Sequence, residues 1–146
     1  MTQVWILCGM KRNCFLLVVA FLVAGVLPQK ALADEVWSTE EYDVTYERDR
    51  NTTAIWSYGR DGIIFIEGLA GVYKDRGSYR GYWAQSSSSL RCDTYREGAN
   101  GKPTYHWGRF EITFMDSEFP SRWHAHIGLC EREPRIFLNG TPVTNP

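Results

Sequence analysis

Thr104-Tyr105-His106-Trp107-Gly108-Arg109-Phe110-Glu111-Ile112-Thr113-Phe114-Met115 alternates in polarity with the two-residue period of a strand. Phe110, Ile112 and Phe114 fall on one side and read as core, while Trp107, Arg109, Glu111 and Thr113 fall on the other. The next segment repeats the pattern. Between Arg122 and Glu131 the apolar set is Trp123, Ala125, Ile127 and Leu129, and it leaves His124 and His126 on the face that also carries Cys130.

Working outward from this pair, further strands are expected at Tyr42–Glu47, Thr52–Tyr58, Ile63–Glu67, Ala70–Lys74, Ser78–Gln85 and Leu90–Tyr95, with a short closing strand at Ile136–Leu138. Turn signals separate them: Asp49-Arg50-Asn51, Gly59-Arg60-Asp61-Gly62, Asp75-Arg76-Gly77, Ser86 to Ser89, and Gly98 to Pro103. No stretch after the leader sustains helical spacing, so the fold class is all-β. About eight strands in an antiparallel meander remove their edges by closing into a small barrel or by folding into a β-sandwich. Glycines in or beside the strand patterns, Gly68, Gly71, Gly81, Gly108 and Gly128, favour the barrel, because a missing side chain permits tight coiling.

The punctuation Gly71-x-Tyr73, Gly81-Tyr82-Trp83, Trp107-Gly108-Arg109 and Phe119-Pro120-Ser121-Arg122-Trp123 resembles that of small secreted β-barrels of the avidin and lipocalin type. The resemblance covers about half of the chain after the leader and implies the architecture alone. Glu35 stands where a lipocalin-like entry would place glycine two residues before Trp37, and the polar residues with which avidin-like proteins hold biotin do not align.

At the other end of the chain, Lys11-Arg12 precedes an apolar run from Cys14 to Leu27, and Ala31-Leu32-Ala33 supplies a small-x-small cleavage pattern. This order is that of a secretory signal over residues 1–33, with cleavage before Asp34; Met10 is an alternative start. A run of 14 residues is shorter than the roughly 18–20 needed to span a bilayer, so the only membrane contact expected is through the cleaved leader. The reading is a single domain over residues 34–146, secreted or periplasmic. It retains two cysteines, Cys92 and Cys130, and in an oxidising compartment they are expected to bond to each other.

All 17 acidic residues follow the leader, whereas Lys11, Arg12 and Lys30 of the 16 basic residues lie within it, leaving a net charge of −4. That balance argues against a nucleic-acid partner held by broad positive charge. Of the aromatic residues only Trp5, Phe15 and Phe21 belong to the leader, so the domain is too rich in large rings to be disordered.

No Gly-x-Ser-x-Gly, His-Glu-x-x-His, phosphate loop or dinucleotide fingerprint occurs, so no catalytic residue and no cofactor is assigned. Trp37, Trp56, Trp83, Trp107 and Trp123 fall nearly one per hairpin, as packing units of a core do. Trp107 opposes the Phe-Ile-Phe stripe and Tyr82 opposes Trp83, so at least one aromatic of each pair faces a lumen or an outer surface. With Arg109 beside Trp107 as a stacking or anion-reading group, the candidate ligand-binding residues are Tyr82, Trp83, Trp107, Arg109 and Trp123. The expected function is that of a non-enzymatic binding module for a small apolar or anionic ligand, or for an extracellular or envelope protein. Two alternatives stay open. His124-x-His126 presents two imidazoles on one face and suggests a metal site or a metal-dependent enzyme; the chain could also serve as an envelope inhibitor or structural component.

Overall fold

The computed structural model describes residues 35–143. The expected leader over residues 1–33 and its cleavage point lie outside the described residues.

Among the described residues ten strands form in chain order: β1 (Val36–Ser38), β2 (Asp43–Arg50), β3 (Thr53–Tyr58), β4 (Gly62–Glu67), β5 (Ser78–Gln85), β6 (Arg96–Glu97), β7 (Pro103–Thr104), β8 (His106–Phe114), β9 (Trp123–Ile127) and β10 (Ile136–Pro142). Eight of them close a barrel in the order β1-β10-β9-β8-β5-β4-β3-β2, every neighbouring pair antiparallel. The all-β barrel expected from the alternation is therefore the observed fold, and no α-helix occurs among the described residues. β6 and β7 pair only with each other, within the excursion that joins β5 to β8.

The period-two pattern sorts side chains into the lumen or onto the outer wall. Trp37, Val44, Ala54, Trp56, Ile64, Ile66, Trp83, Phe110, Ile112, Phe114, Trp123 and Ala125 fill the interior, with Ile127 and Leu129 partly buried against them. Trp37 stacks on Trp56 at 4.5 Å between ring centroids, and Trp123 closes the group at 6.0 Å from Trp56. Rings of this size, removed from water and in mutual contact, contribute a large share of the lumen's apolar burial.

A second apolar cluster lies on the outer wall. Ile55, Ile63, Phe65, Ala84 and Trp107 pack there beneath Cys92, flanked by Tyr82 and Cys130. The β5–β8 excursion roofs this cluster, and Cys92 and Cys130 pin it at disulfide distance, with S–S 2.11 Å. The pair lies on the side away from the lumen stripe of β9, as the alternation implies.

Where the strand pattern misleads, local backbone chemistry explains why. Ala70–Lys74 is not a strand. Gly68 and Gly71 take φ of +79° and +72°, and the Gly71 N–H donates to the Asp49 carboxylate at 3.0 Å, so the chain turns here despite the β-forming Val72 and Tyr73. Leu90–Tyr95 is not a strand either, since it lies across the wall to reach Cys130 and extends no ladder. The Thr104–Met115 segment breaks at Tyr105, and β9 stops at Ile127 because the chain swings past Gly108 and turns through Cys130 at φ +54°. β1 carries no strand signature in its mixed Val-Trp-Ser composition, and β10 runs on to Pro142, beyond the expected end at Leu138.

The two ends of the barrel differ. At the end where β1 begins, Leu69 and Ser121 are buried, and the Trp37 indole donates to the Ser121 carbonyl at 2.8 Å. Arg76 enters the same region and forms a two-pronged pair with Glu35 at 2.9 and 2.7 Å, both side chains nearly inaccessible. The rings of Phe114 and Phe119 lie 4.8 and 5.4 Å from the guanidinium. This end is plugged.

Candidate functional site

The five residues singled out from the sequence do not gather in one place. Trp83 and Trp123 point into the lumen, whereas Tyr82, Trp107 and Arg109 belong to the outer wall. Trp123 is sealed in the plugged half of the core. Trp107 is only 1% exposed, because the β5–β8 excursion covers it and its indole donates to the Thr94 carbonyl at 2.9 Å. Its ring face is taken by Arg96, whose guanidinium lies 4.6 Å from the centroid.

Tyr82 stacks on Phe65 at 4.7 Å, and Arg96 also approaches its ring. Burial, followed by the nearby Glu97, pushes the Tyr82 hydroxyl up to about 12. Arg109 is exposed at the lip of a shallow outer groove of ≈ 180 Å³, shared with Arg80, Arg96, Glu67, Glu111 and Glu131. Arg80 pairs with Glu111 and Arg96 with Glu131, each at 3.4 Å, so this face largely neutralises itself.

His124 and His126 share the outer face of β9, as their spacing requires, with ring centroids 6.2 Å apart. Phe137 of β10 sits against both, at 5.9 and 5.3 Å. His106 is tied elsewhere: its Nδ1 donates to the Leu90 carbonyl at 3.0 Å, with the Ser88 hydroxyl at 3.1 Å. Among the described residues no group of three or more His, Cys, Asp or Glu side chains is placed to hold a metal ion.

An aromatic-lined concavity opens at the other end of the barrel, where β3, β5 and β9 end and β4 and β10 begin. A cleft of ≈ 160 Å³ descends between Tyr42, Tyr58, Trp83 and Leu138 to Ile64 and Phe110 at its base. The Trp83 indole is fixed by donation to the Gly128 carbonyl at 2.8 Å, and the Tyr42 and Tyr58 rings stand 5.1 Å apart. Glu41 and Gln85 supply the polar rim. Burial is the main reason that both tyrosine hydroxyls titrate above the ordinary range; the Glu41 carboxylate adds to the effect at Tyr42, and Asp61 contributes at Tyr58.

Of this set, only Trp83 is among the residues that the sequence singles out for binding. Tyr58 carries a usable signal, since it shares parity with Trp56 in an expected strand, but alternation cannot say which end of a barrel stays open. Tyr42 and Leu138 lie at the margins of the expected strands, where pattern is weakest.

No protein-family model matches the chain, and no curated protein and no solved structure matches it either.

Proposed function

We propose that this protein is an exported binding module that takes a small, largely apolar group into the open mouth of its barrel. The observation that carries the reading is the asymmetry of the two ends: one is stoppered by Arg76 and Glu35, while the other keeps an aromatic-lined cleft with a few polar groups at its rim. A dry cavity of about 150 Å³ holds a benzene-sized molecule, so the cleft fits one ring or a branched aliphatic group rather than an extended lipid. Export is supported by the leader's charge and cleavage pattern and by a cysteine pair at disulfide distance.

The test is a melting-temperature screen of the purified chain against small neutral aromatic and branched aliphatic compounds. A ligand that prefers the folded state raises the midpoint in a concentration-dependent way. Leu138→Phe, which fills the cleft from its lip, is expected to abolish that shift while leaving the unliganded midpoint within a few degrees. Shifts that persist in Leu138→Phe would place binding elsewhere, and a silent panel would remove the reading.

A further inference from the structure

We propose that the group recognised at the mouth is a small organic cation, an alkylated or methylated ammonium head; this rests on the reading of the mouth as the ligand site. Four of the side chains around the cleft, Tyr42, Tyr58, Trp83 and Phe110, are aromatic, and among the described residues the charged one lining it is Glu41. Ring faces carry negative quadrupole charge, and a cation held against them in a desolvated site is favoured over a neutral group of the same shape. Among the described residues no arginine, lysine or histidine lines the cleft.

The lip is acidic on the Tyr42 side, whereas Arg132 and Arg135 line a neighbouring groove that shares Ile127 with the cleft. Glu40 and Glu41 of the β1–β2 connection and Asp43 at the start of β2 form no ion pair among the described residues. Asp61 of the β3–β4 turn, whose carboxylate accepts from the Ser86 N–H and hydroxyl, has Arg60 as the local counter-charge. Burial is the main cause of the raised Tyr42 and Tyr58 hydroxyls, and Glu41 and Asp61 add to it in the same direction. Such a lip raises the local concentration of cations and orients a charged head toward the rim while its alkyl groups enter the rings. The cleft volume of ≈ 160 Å³ suits a head of a few methyl groups.

Isothermal titration of the purified chain with choline and with its neutral isostere 3,3-dimethyl-1-butanol separates charge from shape. Choline is expected to bind on the order of tenfold more tightly than the isostere. Glu41→Gln is expected to weaken choline several-fold and to leave the isostere unchanged, and Tyr42→Leu is expected to reduce the preference between the two. Equal or tighter binding of the isostere would overturn the cation proposal while leaving the mouth as a ligand site. If neither binds, the cation proposal also fails, and the neutral panel with Leu138→Phe decides separately whether the mouth binds anything.

Discussion

Trp83 and Trp107 are anchored on opposite sides of the same two paired strands: the Trp83 indole donates to the Gly128 carbonyl from within the lumen, and the Trp107 indole donates to the Thr94 carbonyl from outside it. The wall between them is a single sheet carrying a core on each face. Loss of either tryptophan therefore tests a different body of packing.

For the outer core, Trp107→Ala is expected to cost about 3–5 kcal/mol, as removal of a buried large ring does elsewhere. Replacing Cys92 and Cys130 together by alanine is expected to cost about 4 kcal/mol, the loop-closure value for a sequence separation of 38. Urea unfolding monitored by circular dichroism measures both. Because the disulfide holds the roof over Trp107, the triple variant should lose less than the separate costs added together; full additivity would show that the two act independently.

The plug at the closed end rests on a buried charge pair. Glu35→Ala leaves the Arg76 guanidinium uncompensated and is expected to destabilise the fold by about 3–5 kcal/mol. Pairing Glu35→Leu with Arg76→Met should recover most of that loss, since two apolar groups need no counter-charge. A double variant as unstable as Glu35→Ala would mean that the ion pair itself, and not the stranded charge, matters.

Two lumen indoles, those of Trp56 and Trp123, have no hydrogen-bond partner among the described residues, whereas the Trp37 indole has the Ser121 carbonyl. Trp37→Phe therefore breaks a buried hydrogen bond that Trp56→Phe does not. The first substitution is expected to be more destabilising than the second by about 1–2 kcal/mol in chemical denaturation. Equal losses would show that the Trp37–Ser121 contact adds nothing beyond packing.

Close backbone approach makes Gly108 intolerant. A side-chain carbon there would lie 1.9 Å from the Gly128 carbonyl oxygen and 2.7 Å from the Trp83 indole nitrogen, so Gly108→Ala is expected to cost more than about 3 kcal/mol or to prevent folding. Gly59 is a useful contrast. It needs φ +57° but has open space around it, and Gly59→Ala should cost only about 1 kcal/mol. Thermal melting of the two variants distinguishes a clash from a turn preference.

Acid sensitivity has an identifiable contributor. Arg122 donates to the Asp116 carboxylate through its side chain and its backbone N–H, lowering the Asp116 pKa to about 2. A carboxyl depressed in the folded state adds stability above its unfolded pKa of about 3.9, and that stability is lost as pH falls toward 2. Asp116→Asn should thus be less stable than the parent at pH 7 and indistinguishable from it near pH 2. A gap that stays constant across this window would exclude the titration as its source.

The strands most legible from sequence are those whose inner and outer faces differ in polarity. Phe110, Ile112 and Phe114 alternate with Arg109, Glu111 and Thr113, and this contrast alone distinguishes the lumen side of β8 from its wall side. Trp107 shows the limit of the same logic. Its parity places it outside, where it is found, but a solvent-facing residue and one roofed by a distant loop have identical patterns along the strand. The roof is built from Cys92, Thr94 and Arg96; the first two fall where the pattern reads as a strand, yet the segment is held by a covalent link, the Trp107 indole's hydrogen bond to Thr94 and the Arg96 contact with the Trp107 ring. The mouth is hidden for a related reason: the β2–β3 pairing brings Tyr42 to Tyr58, but Leu138 joins them only once β10 has paired with β1, so the full set is a property of the register.

The seam at β1 and β10 brings the two limits of the described chain side by side, with the Val143 N–H bonded to the Val36 carbonyl at 2.8 Å. In connectivity the domain is therefore nearly a ring. A short flexible tether across that seam, with the polypeptide reopened at the hairpin around Gly59, would keep every strand beside its present neighbours. Such a permutant would move both free ends to the rim that carries Tyr42 and Tyr58, so a fused reporter could be mounted directly over the cleft.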